Sequence, residues 1–177
     1  MVLSVPASKS SDGTRRQLWW DKDELPTDPD HLTAENCAAA TDLSFYLVSG
    51  ADGFNLSRPQ DQIADSRQGS SQNFSRPGRE NPTLSIRYSF NDEEPNENEA
   101  KLTLTRDAEG AFAEIYQVPE DYDPDTDGDY SGFSYVYIPS RLGIQEVMRQ
   151  EANQIDRINQ PVSITGRIVE GVIDGGS

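Results

Sequence analysis

Residues 81–91, NPTLSIRYSFN, alternate strictly: Leu84, Ile86, Tyr88 and Phe90 fall on one side, Ser85, Arg87 and Ser89 on the other. That is the period of a β-strand with one face on a core and one in water. The strand closes a longer stretch, Gln60 to Asn91, QDQIADSRQGSSQNFSRPGRENPTLSIRYSFN, whose first half reads as a polar loop. Just ahead of the strand, Arg76-Pro77-Gly78-Arg79 predicts a turn. Proline presets the first central dihedral, and glycine takes the positive φ that a type II turn needs at the second. The stretch carries no catalytic group.

Working outward, Thr33 is placed to cap a short helix from Ala34 to Ala40, with Glu35 and Asn36 near its positive end. Leu43–Val48 predicts a strand, ended by the Gly50-Ala51-Asp52-Gly53 turn cluster and followed by a short Phe54–Leu56 segment. Downstream, Asn91–Glu99 is an acidic loop. Residues 101–105 alternate like a strand, yet Asn96 is a good cap, Glu97 and Lys101 are four apart, Ala100 and Leu104 share a face, and Gly110 can close a helix. A helix of about three turns is favoured. Ala111–Val118 reads as a strand. Gly132–Ile138 is an aromatic strand covered on both faces, with Phe133, Tyr135 and Tyr137 opposite Val136 and Ile138, ended by Pro139. Ile144–Gln150 is a strand, Glu151–Asn159 a polar connection, and Val162–Ile168 a last strand with a polar face of Ser163, Thr165 and Arg167. About seven short strands and one helix predict a mainly β sandwich or barrel.

The 177 residues fit one domain with its own core. Residues 1–32, rich in Ser, Asp and Pro, read as an extended N-terminal arm, and 33–177 as the β domain. Trp19 and Trp20 are the only large apolar group of that arm. They either anchor it on another molecule or tuck onto their own domain.

Thirty-one acids face fifteen bases, for a net charge of -16, and almost all the bases are arginine. Such a surface repels nucleic acid and offers no basic stripe to neutralise phosphates. Abundant Asp with scarce Lys suits concentrated salt, where screening removes self-repulsion; a high-GC genome gives the same bias of Arg over Lys. Cys37 is the single cysteine, which excludes an intramolecular disulfide and a cysteine-based zinc cluster. Lying among alanines, it reads as a small buried apolar residue. His31 is the single histidine, which excludes a two-histidine metal site, and it reads as exposed. No run is long and apolar enough for a membrane span, and the apolar run in MVLSVPASKSSDG is too short for a signal peptide. Synthesis in a cytoplasm, without secretion by that route and without a membrane partner, is expected.

The one metal-like motif is Asp121–Asp129, DYDPDTDGD. Asp123, Asp125 and Asp127 followed by Gly128 reproduce the first half of an EF-hand loop, where alternate carboxylates converge on calcium. The twelfth position is Ser134 in place of the bidentate Glu, and the next segment reads as a strand, so a solvated acidic turn is favoured over a metal site. No phosphate-binding glycine loop, nucleophile elbow or paired acid/base constellation is present. No enzyme activity, catalytic residue or cofactor is therefore expected.

With the strands placed, the order of features resembles the major tail tube proteins of long-tailed viruses with non-contractile tails. The resemblance is carried by Ala39–Phe54 (AATDLSFYLVSGADGF), by Ile63–Phe90 with its Asp65-Ser66-Arg67, Gln72-Asn73-Phe74 and Pro77-Gly78-Arg79, by Tyr137–Val147 and by Val162–Ile168. The arm and the Asp-rich loop depart from it. It implies a virion tail protein with a β-sandwich or barrel and one flanking helix, forming hexameric rings stacked into a tube through which the genome passes without specific binding. Tape measure and tail-end proteins are the implied partners. Ser85, Arg87, Ser89 and Ser163, Thr165, Arg167 would line the lumen, and Asp65, Arg67, Pro77, Gly78 and Arg79 would set subunit contacts. Closing the strands of six subunits into one barrel would remove exposed edges. The composition suggests a haloarchaeal or a high-GC bacterial host. The alternative reading is a calcium-binding β-sandwich adhesion or interaction module using Asp123–Asp129.

Overall fold

The structure is a computed structural model that describes residues 15–65, 74–90, 99–119, 121–123, 129–148 and 155–175. It is mainly β. The described residues form eleven strands: β1 (Arg16–Asp21), β2 (Thr41–Asp42), β3 (Phe54–Ser57), β4 (Gln60–Asp65), β5 (Phe74–Glu80), β6 (Thr83–Ser89), β7 (Glu109–Ile115), β8 (Ser134–Leu142), β9 (Glu146–Met148), β10 (Arg157–Ile164) and β11 (Val169–Val172). Two short helices accompany them, α1 (Ala34–Ala38) and α2 (Glu99–Thr103). The main sheet runs β2-β1-β7-β8-β10-β6-β3, with β11 added beside β8 and β9 beside β10; β4 and β5 form a separate hairpin. All the strand pairs are antiparallel.

The main sheet is folded over on itself. Phe54 of β3 and Phe112 of β7 lie four strand spacings apart in the order, about 19 Å in a flat sheet, yet their ring centroids are 5.7 Å apart. The first core fills the space so enclosed: Leu84, Ile86 and Tyr88 of β6 and Phe90 after it meet Trp19, Phe112, Ile138, Ile158 and Leu43, with Ala100 and Leu104 from the α2 region. The alternating face expected for β6 is the one that is buried, while Ser85, Arg87 and Ser89 point the other way.

A second core lies across β1, β7 and β8, where Leu18, Trp20, Ala111, Ala113, Ile115, Tyr135 and Tyr137 pack under Cys37 of α1, Val169 and Ile173. The aromatic strand is thus covered on both faces, as its composition predicts. α1 starts with a capping box: Thr33 Oγ1 accepts from the Asn36 N–H, and Asn36 Oδ1 from the Thr33 N–H.

Several expectations are corrected. Residues 15–32 are not part of an arm. Arg16–Asp21 pairs with β7 along its whole length, and Trp19 and Trp20, each 1% exposed, enter the two cores from opposite faces; Trp20 Nε1 donates to the Asn36 carbonyl at 2.9 Å. The tryptophans therefore tuck onto their own domain, and residues 1–14 lie outside the described residues. Leu43–Val48 is not a strand. Asp42 Oδ1 takes the Ser44 N–H at 2.8 Å and ends β2, after which the N–H groups of Tyr46 and Leu47 both bond the Leu43 carbonyl in a helical turn.

Arg76–Arg79 is not a turn but the middle of β5. Pro77 stands opposite Gln62, beside a register shift in β4, on a hairpin whose strands are both edges, which is where a strand tolerates proline. Gly78 is needed for close approach: a Cβ there would lie 3.0 Å from the Asp61 carbonyl oxygen. Gln60–Asp65, read as loop, is the partner strand.

Nor does Pro139 end β8. The N–H of Leu142 bonds Ala108 O and that of Tyr116 bonds Ser134 O, so the odd-numbered residues of β8 turn their backbone groups away from β7. Pro139 thus puts its missing donor where β11 pairing stops at Tyr137 and β10 pairing starts at Ser140, and its carbonyl takes the Thr165 N–H. β10 begins at Arg157 within the expected polar connection and ends at Ile164. Thr165, Gly166 and Arg167 leave the sheet before β11. Among the described residues α2 spans Glu99–Thr103, with Asn96 and Glu97 lying outside them, and Gly110 closes no helix but sits in β7.

Candidate assembly surfaces

Among the described residues no group of three or more His, Cys, Asp or Glu side chains is disposed to hold a metal ion. Of the Asp-rich loop, residues 121–123 and 129 are described, and Asp129 Oδ1 accepts from the Ser131 N–H at 3.1 Å; Asp125, Asp127 and Gly128 lie outside the described residues. His31 is exposed, 3.6 Å from Asp174. Cys37 is buried, and burial pushes its thiol up to about 12. None of the helices in the described residues is long and apolar enough to cross a membrane.

What the fold does present is surface. The β4–β5 hairpin stands apart from the main sheet, and none of its described side chains is buried. Ile63, 58% exposed, faces outward from it. A two-stranded hairpin alone is marginal in water, so the polar ties along this one matter. Arg76 donates to Asp65 Oδ2 at 2.7 Å, Asn81 to Asp61 at 3.1 Å, and Gln60 to the Gly78 carbonyl at 3.2 Å. Asp65, Pro77, Gly78 and Arg79 are thus brought onto one projecting element, while Arg67 lies outside the described residues.

At the root of the hairpin, Arg58 holds it to the body. Its guanidinium donates to Glu80 Oε2 at 3.1 Å, at the end of β5, and also to Glu170 on β11. Glu80, then Glu170, hold the guanidinium in its charged form. The sequence offers no local signal for this clamp, because Arg58 and Glu170 are 112 positions apart.

The polar faces are partly as expected. Asn159 is opposite Arg87 and Pro161 opposite Ser85, so Ser163, two further along β10, continues the face of Ser85, Arg87 and Ser89. Thr165 and Arg167 do not join it. The first is turned to Pro139 by its N–H, and the second pairs with Asp30 at 3.1 Å.

Exposed backbone edges complete the picture. β3 and β2 terminate the strand order of the main sheet. Apolar side chains stand exposed around β9: Ile144, Val147 and Ile155 are 54%, 49% and 68% exposed.

The family described as phage tail tube protein matches residues 3–174. No curated protein sequence matches the chain. Among solved structures, the chain is similar to one from the cryo-EM structure of the anti-feeding prophage (AFP) baseplate, 6-fold symmetrised. The TM-score is 0.55 and the identity 12%, over 97% of this chain and 99% of that one. At that identity the likeness speaks for the fold alone. A match over nearly the whole length, on a mainly β chain that offers sheet edges and a projecting hairpin, places this protein in the phage tail tube protein family, as a structural component of the virion tail.

Proposed function

We propose that the chain forms hexameric rings that stack into the tail tube and conduct viral DNA into the host. The observation that carries this reading is the β4–β5 hairpin, a polar element separate from the main sheet and tied to it by Arg58, none of whose described side chains enters the core. Its natural role is to reach a neighbouring copy. The sheet edges at β3 and β2 support side-by-side association within a ring, since open edges invite pairing and closure removes them. The 6-fold symmetry named for the similar baseplate structure agrees with six subunits per ring. Head-to-tail contacts that do not close extend into filaments, which is how rings stack.

On this reading DNA passes without being bound, because a chain of net charge -16 repels phosphates. Tape measure and tail-end proteins are the partners within the tail, and no enzyme activity is involved. Negative-stain electron microscopy of the purified protein, concentrated at high salt, tests the reading by the presence or absence of rings and tubes.

A further inference from the structure

Most arginines of the described structure are already neutralised. Arg15, Arg58, Arg76, Arg106, Arg141 and Arg167 all lie within 4 Å of a carboxylate. Arg16 donates to the Tyr122 carbonyl and lies over the Phe45 ring. In a chain with 31 acids and 15 bases this is expected, because every cation has acids to choose from. Arg87 and Arg157 are different. Among the described residues neither is in an ion pair, and the Nε of Arg87 is shut off from water with no hydrogen-bond partner. Leaving such a donor unmade costs its desolvation. Arg79 is unpaired too, but it is exposed on the hairpin and water can satisfy it.

The two arginines share one face. Arg87 stands opposite Asn159 and Ser89 opposite Arg157 on adjacent strands, so they are diagonal neighbours on the outer side of β6 and β10. Glu146 is opposite Asn159 from the other side, on β9, yet pairs with neither. The face is therefore positive and half-buried, with polar flanks of Ser85, Ser89 and Asn159, on a molecule that is otherwise strongly acidic.

We propose that Arg87 and Arg157 form a docking face for carboxylates of a second copy of this chain. The argument is charge complementarity. Copies of net charge -16 repel one another, so a stable contact needs a place where acid meets uncompensated base. The acids are available: Asp23, Glu24 and Asp28 are exposed between β1 and α1. Guanidinium groups donate to carboxylates in two-pronged geometry, which gives such a contact direction as well as charge. Two arginines are too few to hold a DNA backbone against the charge of the rest of the chain. The proposal rests on the assembly reading and adds to it the residues that overcome self-repulsion.

The test compares wild type with Arg87→Gln/Arg157→Gln and Arg87→Lys/Arg157→Lys by sedimentation velocity and electron microscopy across a concentration series, with the melting temperature of unassembled protein as control. The Gln pair is expected to raise the concentration needed for assembly about ten-fold or more. The Lys pair, which keeps charge but not the fork, falls between, with melting unchanged. An unchanged assembly concentration for the Gln pair overturns the proposal. So does a drop in its melting temperature with assembly intact, which would place the arginines' partners within their own chain. Binding of duplex DNA by the wild type and not by the Gln pair also overturns it, since the ligand would then be phosphate. If the wild type and both variants all remain monomers, the tail-tube assembly reading itself fails, and this proposal with it.

Discussion

Gln160, fully buried in β10, donates its side-chain amide to the Leu104 carbonyl just beyond α2, 3.0 Å away. The same amide reaches the Gly143 carbonyl, its oxygen takes the Tyr88 hydroxyl, and Gln145 donates to Tyr88, Lys101 and Leu104. Two glutamines thus satisfy carbonyls at the end of α2 that have no helical partner, and they bind the helix to the sheet at the point where β8 gives way to β9. Gln160→Leu keeps the volume but strips these bonds. It is expected to cost about 2–3 kcal/mol, a fall of roughly 4–12 °C in melting temperature, measured by thermal and urea denaturation of unassembled protein.

Gly110 has no room for a side chain. A Cβ there would lie 2.1 Å from the Trp20 carbonyl oxygen and 2.6 Å from the Trp19 ring, so Gly110→Ala must push β1 away from β7. A loss of about 2 kcal/mol or more is expected. Gly175→Ala, which meets only ordinary contacts beginning at 3.5 Å, should change stability by less than about 0.5 kcal/mol.

Arg58→Ala separates folding from assembly. Its partners Glu80 and Glu170 are largely exposed, so the stability change should stay below about 1 kcal/mol. The hairpin, released at its root, should exchange its amides over residues 60–65 and 74–80 several-fold faster in hydrogen-exchange measurements. Tube formation should fall with it. Tubes of normal yield from Arg58→Ala would show that the hairpin's angle is not used.

Alkaline pH should unfold the protein. Burial raises Cys37 and Tyr130 to about 12, from ordinary values of 9.0 and 10.0, and raises Tyr88 as well. Between the ordinary and the folded value the unfolded chain ionises while the folded one does not, so each group's contribution is intact below about pH 9 and is lost as pH rises toward 12. Each contributes up to about 1.4 kcal/mol per pH unit in that window. Urea titrations from pH 8 to 11 check the direction, and Cys37 should remain unreactive to thiol reagents until unfolding begins.

Much of this fold is legible in the sequence where a single rule operates. The period of β6, the cap at Thr33 and the double coverage of the aromatic strand each follow from local pattern, and each is found. The misreadings share a cause: a side chain whose role is set by a distant partner. Pro77 and Gly78 look like a turn until Gln62 and Asp61 are placed opposite them. Pro139 looks like a terminus until the change of partner from β11 to β10 is known. The start of β10 reads as part of the polar connection ending at Asn159 because Gln160 faces inward, where an apolar residue would keep the alternation visible. For Trp19 and Trp20 the sequence leaves two places open, on another molecule or on their own domain, and the pairing of β1 with β7 decides for the second. Of the assembly surfaces, the Arg58 clamp and the nearness of Arg87 to Arg157 are not legible in the sequence, since they join segments 112 and 70 positions apart.

Electron microscopy of the purified protein over a salt series tests the central claim most directly. Raising salt from about 0.1 M to about 1 M shortens the Debye length from about 10 Å to about 3 Å and removes most of the repulsion between copies of net charge -16. The account expects six-fold rings with a central channel, stacking into tubes as salt and concentration rise. Monodisperse monomers at every salt and concentration, with no ring or tube, would contradict it.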